Sequence, residues 1–195
     1  MKVVLIGGSV RPGNYTAMAL ALAADELGKR ETAYEMVDPA TLSLPFPGVN
    51  PDSKDARELR ERVAEATGVI LATPEYHGSF SSVMKLVIEN LGFPSALAGK
   101  PVALLGVAAG QIGAIKSLEA LASICTHVGA LVLPGAVSVA GVQKAFDREG
   151  RCVDAEVEKR IRSVATNLIE YARGSICPRI ALEAMVRGAT GEMRG

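Results

Sequence analysis

KVVLIGGSVRPGNYTAMALALAADELGK, Lys2 to Lys29, decides the fold. Val3 to Ile6 is a continuous apolar run, as in a strand buried on both faces. Gly7 to Asn14 holds Gly, Pro and Asn and reads as a loop. Tyr15 to Lys29 is rich in Ala and Leu and predicts a helix. The same strand–loop–helix unit recurs along the chain. Strands are predicted at Tyr34–Asp38, Gly68–Thr73, Pro101–Val107 and Ala130–Val139, the last at an edge or bulged because it contains Pro134. Helices are predicted at Asp52–Ala66, Phe80–Leu91, Ala114–Val128 and Asp154–Arg173. Five strands alternating with five helices define an α/β fold with a doubly wound five-stranded parallel sheet and helices on both faces.

Ligands on such sheets bind beyond the carboxyl ends of the strands, where the winding reverses. The loops to inspect are therefore Gly8–Asn14, Pro74–Ser79 and Ala108–Gly113. The loop Pro39–Pro51 holds four prolines and is long enough to suggest a role of its own. Residues 1–173 read as one domain. The tail 174–195 follows the last helix, with a short helical candidate at Ala181–Arg187, and is expected to be mobile or at an interface.

Composition narrows the function classes. Of 195 residues, 21 are Lys or Arg and 21 Asp or Glu, so no net charge draws the chain to nucleic acid or an anionic membrane. Aromatics at 4%, with no Trp, disfavour a base-stacking platform. Cys125, Cys152 and Cys177 lack metal-site spacing, and an odd number argues against a disulfide framework. With only His77 and His127 besides, a structural zinc site is not expected. No apolar run has the length of a signal peptide or membrane span, so the chain is expected in the cytoplasm.

The first loop has the chemistry of a phosphate nest. Ser9, Asn14 and Thr16 offer side-chain hydrogen bonds, Arg11 offers a guanidinium fork, and the helix from Tyr15 adds its positive N-terminus. The plainer reading is a strand-to-helix turn with Asn14 as N-cap. Gly7, Gly8 and Gly13 do not make G-x-G-x-x-G, and Asn14 and Tyr15 replace the Lys and Ser/Thr of a P-loop. In the second loop, Pro74 stiffens the backbone and Gly78 permits close approach of a flat ligand, beside Tyr76 and His77. His77 alone reads more readily as a surface loop histidine than as a ligand contact, Glu75 as an acid or an ordinary loop carboxylate, and Met84 as core. No nucleophile–base set is visible.

GGSVRPGNYT (Gly7–Thr16), followed some 60 residues later by TPEYHGSFSSVMKLVIENL (Thr73–Leu91), resembles the NADPH-dependent FMN reductase family. The similarity runs over Lys2–Arg173. It implies a flavodoxin-like fold and a bound FMN. It also implies hydride transfer from NADPH or NADH to the flavin, then electron transfer to a small acceptor: a quinone, an azo compound, a metal oxyanion or a free flavin. The implied cofactor-binding residues are Ser9, Arg11, Asn14, Tyr15 and Thr16 at the phosphate end and Pro74, Glu75, Tyr76, His77, Gly78 and Ser79 beside the isoalloxazine. Ala109, Gly110 and Gln111 come from a third loop less glycine-rich than in relatives. Many relatives carry Asn where this chain has His77. No protein side chain is expected to be catalytic, because the flavin carries the chemistry. The resemblance implies a homodimer or homotetramer, with the apolar helix Phe80–Leu91 at its interface. A flavodoxin-like carrier without its own nicotinamide site is the alternative, disfavoured by zero net charge and by Arg11; a cofactor-free α/β module is a third reading.

Overall fold

The computed structural model describes residues 1–192. Strand β1 (Lys2–Gly7) lies between β2 (Ala33–Val37) and β3 (Gly68–Tyr76), all parallel. On the far side of β3, β5 (Pro101–Val107) continues the parallel sheet. The expected last strand is split into β6 (Leu131–Val132) and β7 (Val137–Val139), both paired with β5. Pro134 lies in the interruption, where its missing N–H breaks the ladder. The parallel order β2-β1-β3-β5-β6/β7 is the doubly wound one, with its switch point between β1 and β3.

Each inner strand feeds two cores by simple alternation. Val3, Leu5, Ile70, Leu105 and Val107 face α1 (Tyr15–Lys29) and α6 (Ala155–Tyr171). Val4, Ile6, Val69, Leu71, Val102 and Leu104 face α2 (Lys54–Glu65), α3 (Ser82–Glu89) and α4 (Ile115–His127). All these strand side chains are buried, so the strands read as unbroken apolar runs. Small residues on α1, Ala19, Ala23 and Ala24, belong to the same core as Ile161, Ala165 and Leu168 of α6. At the surface, Arg162 of α6 ties the two helices through Asp25 and Glu26 of α1 and pairs within its own helix with Glu158.

Three departures from the expected elements matter. First, β3 does not stop at Thr73; it runs to Tyr76 and turns back through β4 (Ser79–Phe80) as an antiparallel hairpin. β1 pairs with β3 only as far as Ala72, so Pro74 sits where one edge of the strand is already free. Second, the helix expected over Phe80–Leu91 is shorter, and buries Met84, Val87 and Ile88 in its own core; Val83 and Leu86 are half-buried. Its apolar surface is therefore largely used within one chain. Third, the tail is not limited to a short helix at Ala181–Arg187. α6 passes through a π-turn (Ala172–Ile176) into α7 (Cys177–Glu192). The Cys177 N–H reaches back five residues to the Ala172 carbonyl, a widening that accommodates Pro178 in the first turn.

The loop Pro39–Pro51 starts as a short 3₁₀ turn capped by Asp38 and is tied by Asn90 Nδ2 to the Pro45 carbonyl. No described helix is long and apolar enough to cross a membrane.

Candidate functional site

Sheet geometry brings the first, second and third loops to one end, beyond the carboxyl ends of β1, β3 and β5. In the first loop, Asn14 is the N-cap: Oδ1 accepts from the Ala17 N–H at 2.8 Å, and Nδ2 donates to the Arg11 carbonyl at 2.7 Å. The plainer reading of Asn14 is thus realised, and its side chain shapes the loop. The Arg11 N–H bonds to Ser9 Oγ at 3.4 Å. The Arg11 side chain is exposed and has no ion-pair partner among the described residues. Neither the cap nor the first turn of α1 carries an acid. A cation, the amides of a helix N-terminus and no competing carboxylate make this end of the site electropositive.

A buried lock underlies the loop. The Gly8 N–H donates to the Ala72 carbonyl at 2.7 Å, and Ser81 Oγ donates to the Gly8 carbonyl. Ser81 Oγ also accepts from the Met84 N–H and caps α3, while its own N–H reaches Thr73 Oγ1. Gly8 fits tightly here: a Cβ would stand 3.0 Å from the Ala72 carbonyl oxygen and 3.1 Å from Ser81 Oγ, so the lock would have to give by a few tenths of an ångström. Neither Ser81 nor Thr73 was singled out from sequence, since a serine before a helix has many uses.

The second loop is a two-residue hairpin. His77 has φ +52° and Gly78 φ +74°, positive at both central positions as in a type I′ turn. His is among the residue types that tolerate the left-handed region better than most. The Glu75 carboxylate does not point to a free acid. Its Oε2 accepts from the Ser117 N–H of α4 at 3.1 Å, at a helix start whose N-cap, Ala114, supplies no side-chain bond. In the third loop, Gly141 and Val142 N–H groups bond the Gly110 and Ala108 carbonyls, and Gln143 Nε2 bonds the Ala109 carbonyl. The short helix α5 (Val142–Ala145) thereby braces that loop.

Between these walls lies a cleft of about 480 Å³, within the ~300–1,000 Å³ span of small-molecule sites. Ser9, Arg11, Asn14, Tyr15, Thr16, Pro74, Glu75, Tyr76 and Ala109 line it. His77, Gly78 and Ser79 form the hairpin tip and its flank outside the lining, and the exposed Gly110 and Gln111 of the third loop also lie outside it. Gly13 and Ala108, from the expected loops, also line it, as do Pro12, Val107 and Val142, which the sequence does not single out. Val142 belongs to a four-residue helix, too short for any periodic signal. Tyr76 is 40% exposed and lines the same cleft as Arg11. No group of His, Cys, Asp and Glu suited to a metal occurs among the described residues.

Fold and cleft together define a class: a doubly wound α/β protein with a slot at the switch point, lined by Arg11 and the start of α1 and by the aromatic rings of Tyr15 and Tyr76. Comparison with known proteins makes it specific. The chain belongs to the NADPH-dependent FMN reductase family, which it matches over residues 1–144, and is an FMN-dependent NAD(P)H oxidoreductase. It is 32% identical to an NADPH azoreductase of Bacillus sp. (strain OY1-2), covering 73% of this chain and 78% of that one. It is 30% identical to an NAD(P)H-dependent FMN reductase of Pseudomonas aeruginosa, covering 83% and 90%. Its fold superimposes on a flavoenzyme NAD(P)H:(acceptor) oxidoreductase of Paracoccus denitrificans with a TM-score of 0.74 at 20% identity, covering 89% and 97%. The flavodoxin-like architecture and the enzyme class expected from sequence both hold.

Proposed function

We propose that the chain holds FMN in this cleft and passes electrons from NADPH or NADH to a flat, conjugated small molecule of the quinone or azo type. The observation that carries the reading is the lining of the cleft. An unpaired Arg11 at a helix N-terminus suits a phosphate, and a slot walled by Tyr76, Val107 and Val142 suits a planar ring. FMN, when bound, supplies the hydride acceptance and onward electron transfer.

The chain's own residues bind and orient. Arg11, Ser9 and Thr16 hold the phosphate end, with Asn14 keeping the amides of the α1 N-terminus directed at it. Tyr15 is fixed by its ring contact with Phe146, centroids 6.3 Å apart, and borders the same end. Pro74 and Tyr76 form one wall of the ring slot and Ala108 and Ala109 the other. The His77–Gly78 tip and Gln111 form the rim against which donor and acceptor arrive. The exposed apolar side chains Val10, Tyr76, Ile112 and Ile115 come from the loops and helix starts at this end, which favours an apolar planar acceptor over a metal oxyanion.

Assembly is part of the same reading. Phe93 is 97% exposed and Phe46 75%, a surplus that a homodimer or homotetramer would cover. We place the protein in the cytoplasm, where reduced nicotinamides are supplied and its three free thiols stay reduced. The test is an acceptor panel of quinones, azo dyes, chromate and free flavin, run with both nicotinamides. Faster turnover of the quinone and azo acceptors supports the reading; preferential reduction of chromate refutes it.

A further inference from the structure

We propose that Glu75 is a positioning residue that sets the width of the ring slot by joining its two walls. The proposal rests on the FMN reading above. Glu75 stands in the β3 extension, the wall that carries Tyr76, and is half-buried. Its carboxylate accepts from the Ser117 N–H at 3.1 Å. Ser117 is fully buried in the first turn of α4, directly behind the third loop that forms the opposite wall.

This helix start has no cap of its own. Ala114 provides no side-chain acceptor, and the first turn holds no acid. A residue 42 positions earlier therefore does the work that an N-cap Asp or Ser normally does locally. A local cap would order α4 equally well, but it would leave the hairpin beyond the Pro74–Val107 pairing without a side-chain bond to α4. The remote one couples the two walls. Lys116 strengthens the coupling: its Cδ lies 3.5 Å from where a Cβ on Gly78 would stand, so its stem packs along the hairpin tip. The third loop is held from its other side by the bond from the Ala114 N–H to Ser138 Oγ. Glu75 is therefore the side chain that hydrogen-bonds the hairpin wall to this framework. Both the bond's length and its acceptor atom matter; the charge is secondary.

Two variants separate these properties. Glu75→Gln keeps an acceptor oxygen at the same reach and loses the charge. Glu75→Asp keeps the charge and is one methylene too short. Apo-protein of each, and of Glu75→Ala, is titrated with FMN by fluorescence. Amide exchange at Ser117 is followed in the apo state, with a thermal melt as fold control. The Ala and Asp variants should bind FMN about tenfold more weakly, as for loss of one hydrogen bond, and Gln should stay within about threefold of the parent. Ser117 exchange should quicken in Ala and Asp only. The proposal is overturned if Asp binds like the parent while Gln binds like Ala, or if all affinities match and only melting points move. If the parent itself binds no FMN, the functional reading fails first and this inference with it.

Discussion

Replacing Arg11 with Ala should separate binding from folding. The Arg11 side chain makes no hydrogen bond or ion pair within the described protein, although its backbone makes two. Those two involve the N–H and carbonyl, which Ala retains. The folded state should therefore keep its stability within about 0.5 kcal/mol, the usual range for a surface change. FMN binding should fall by ~1.5–3 kcal/mol, the value of a charge-assisted hydrogen bond, which is roughly 10- to 150-fold in Kd. Asn14→Ala is the counterpart. It removes a cap bond of 2.8 Å and a loop tether of 2.7 Å, so it should cost about 1 kcal/mol of stability as well as affinity. Urea unfolding and FMN fluorescence titration on the same samples measure both quantities. An Arg11→Ala protein with unchanged FMN affinity refutes the assignment of the anion end. One that loses several kcal/mol of stability refutes the argument that the side chain is unengaged.

Three further outcomes are expected. At the hairpin, His77→Asn should keep stability and most of the activity. His77→Val and Gly78→Val should each cost about 1–3 kcal/mol, because branched residues tolerate positive φ poorly; chemical denaturation reads the difference. Gly106→Ala places a Cβ 2.6 Å from that of Ala114 and 2.9 Å from Leu118 Cγ, so β5 and α4 must part, lowering stability by about 1–3 kcal/mol in the same assay. Burial pushes the Cys125 thiol up to about 12. The folded chain thus holds a proton that the unfolded chain releases near the ordinary thiol value of about 8.5. This stabilising contribution is complete below that pH and is lost as pH rises through the folded value, so urea midpoints of the parent should decline more steeply in alkali than those of Cys125→Ala.

Much of the fold is legible because its strands are buried on both faces. Val3–Ile6 and Pro101–Val107 can be read as uninterrupted runs, and Asn14 marks the start of α1 to the residue. The errors cluster at prolines. Pro74 suggests the end of β3, yet the strand continues where β1 has already left its edge. The last helix is expected to end at Arg173, shortly before Pro178, yet a π-turn carries the chain past that proline into α7. The candidate site was legible where one local segment supplies several groups, as in Ser9–Thr16. It was not legible where residues far apart in sequence complete each other. Glu75 finds its partner at Ser117, Ser81 holds Gly8, and Val142 closes a cleft whose other walls begin at Ser9 and Pro74. No spacing rule connects such pairs before the sheet order is known.

The central claim is that this cleft binds FMN and admits a nicotinamide to it. The most direct measurement uses the purified chain freed of flavin, titrated with FMN, and then mixed anaerobically with NADPH while the flavin absorbance band is followed. The account predicts saturable binding of one FMN per chain and loss of the band at turnover rates, restored when a quinone is added. A chain that binds no FMN, or that binds it and leaves the band unchanged with both NADPH and NADH, would contradict it.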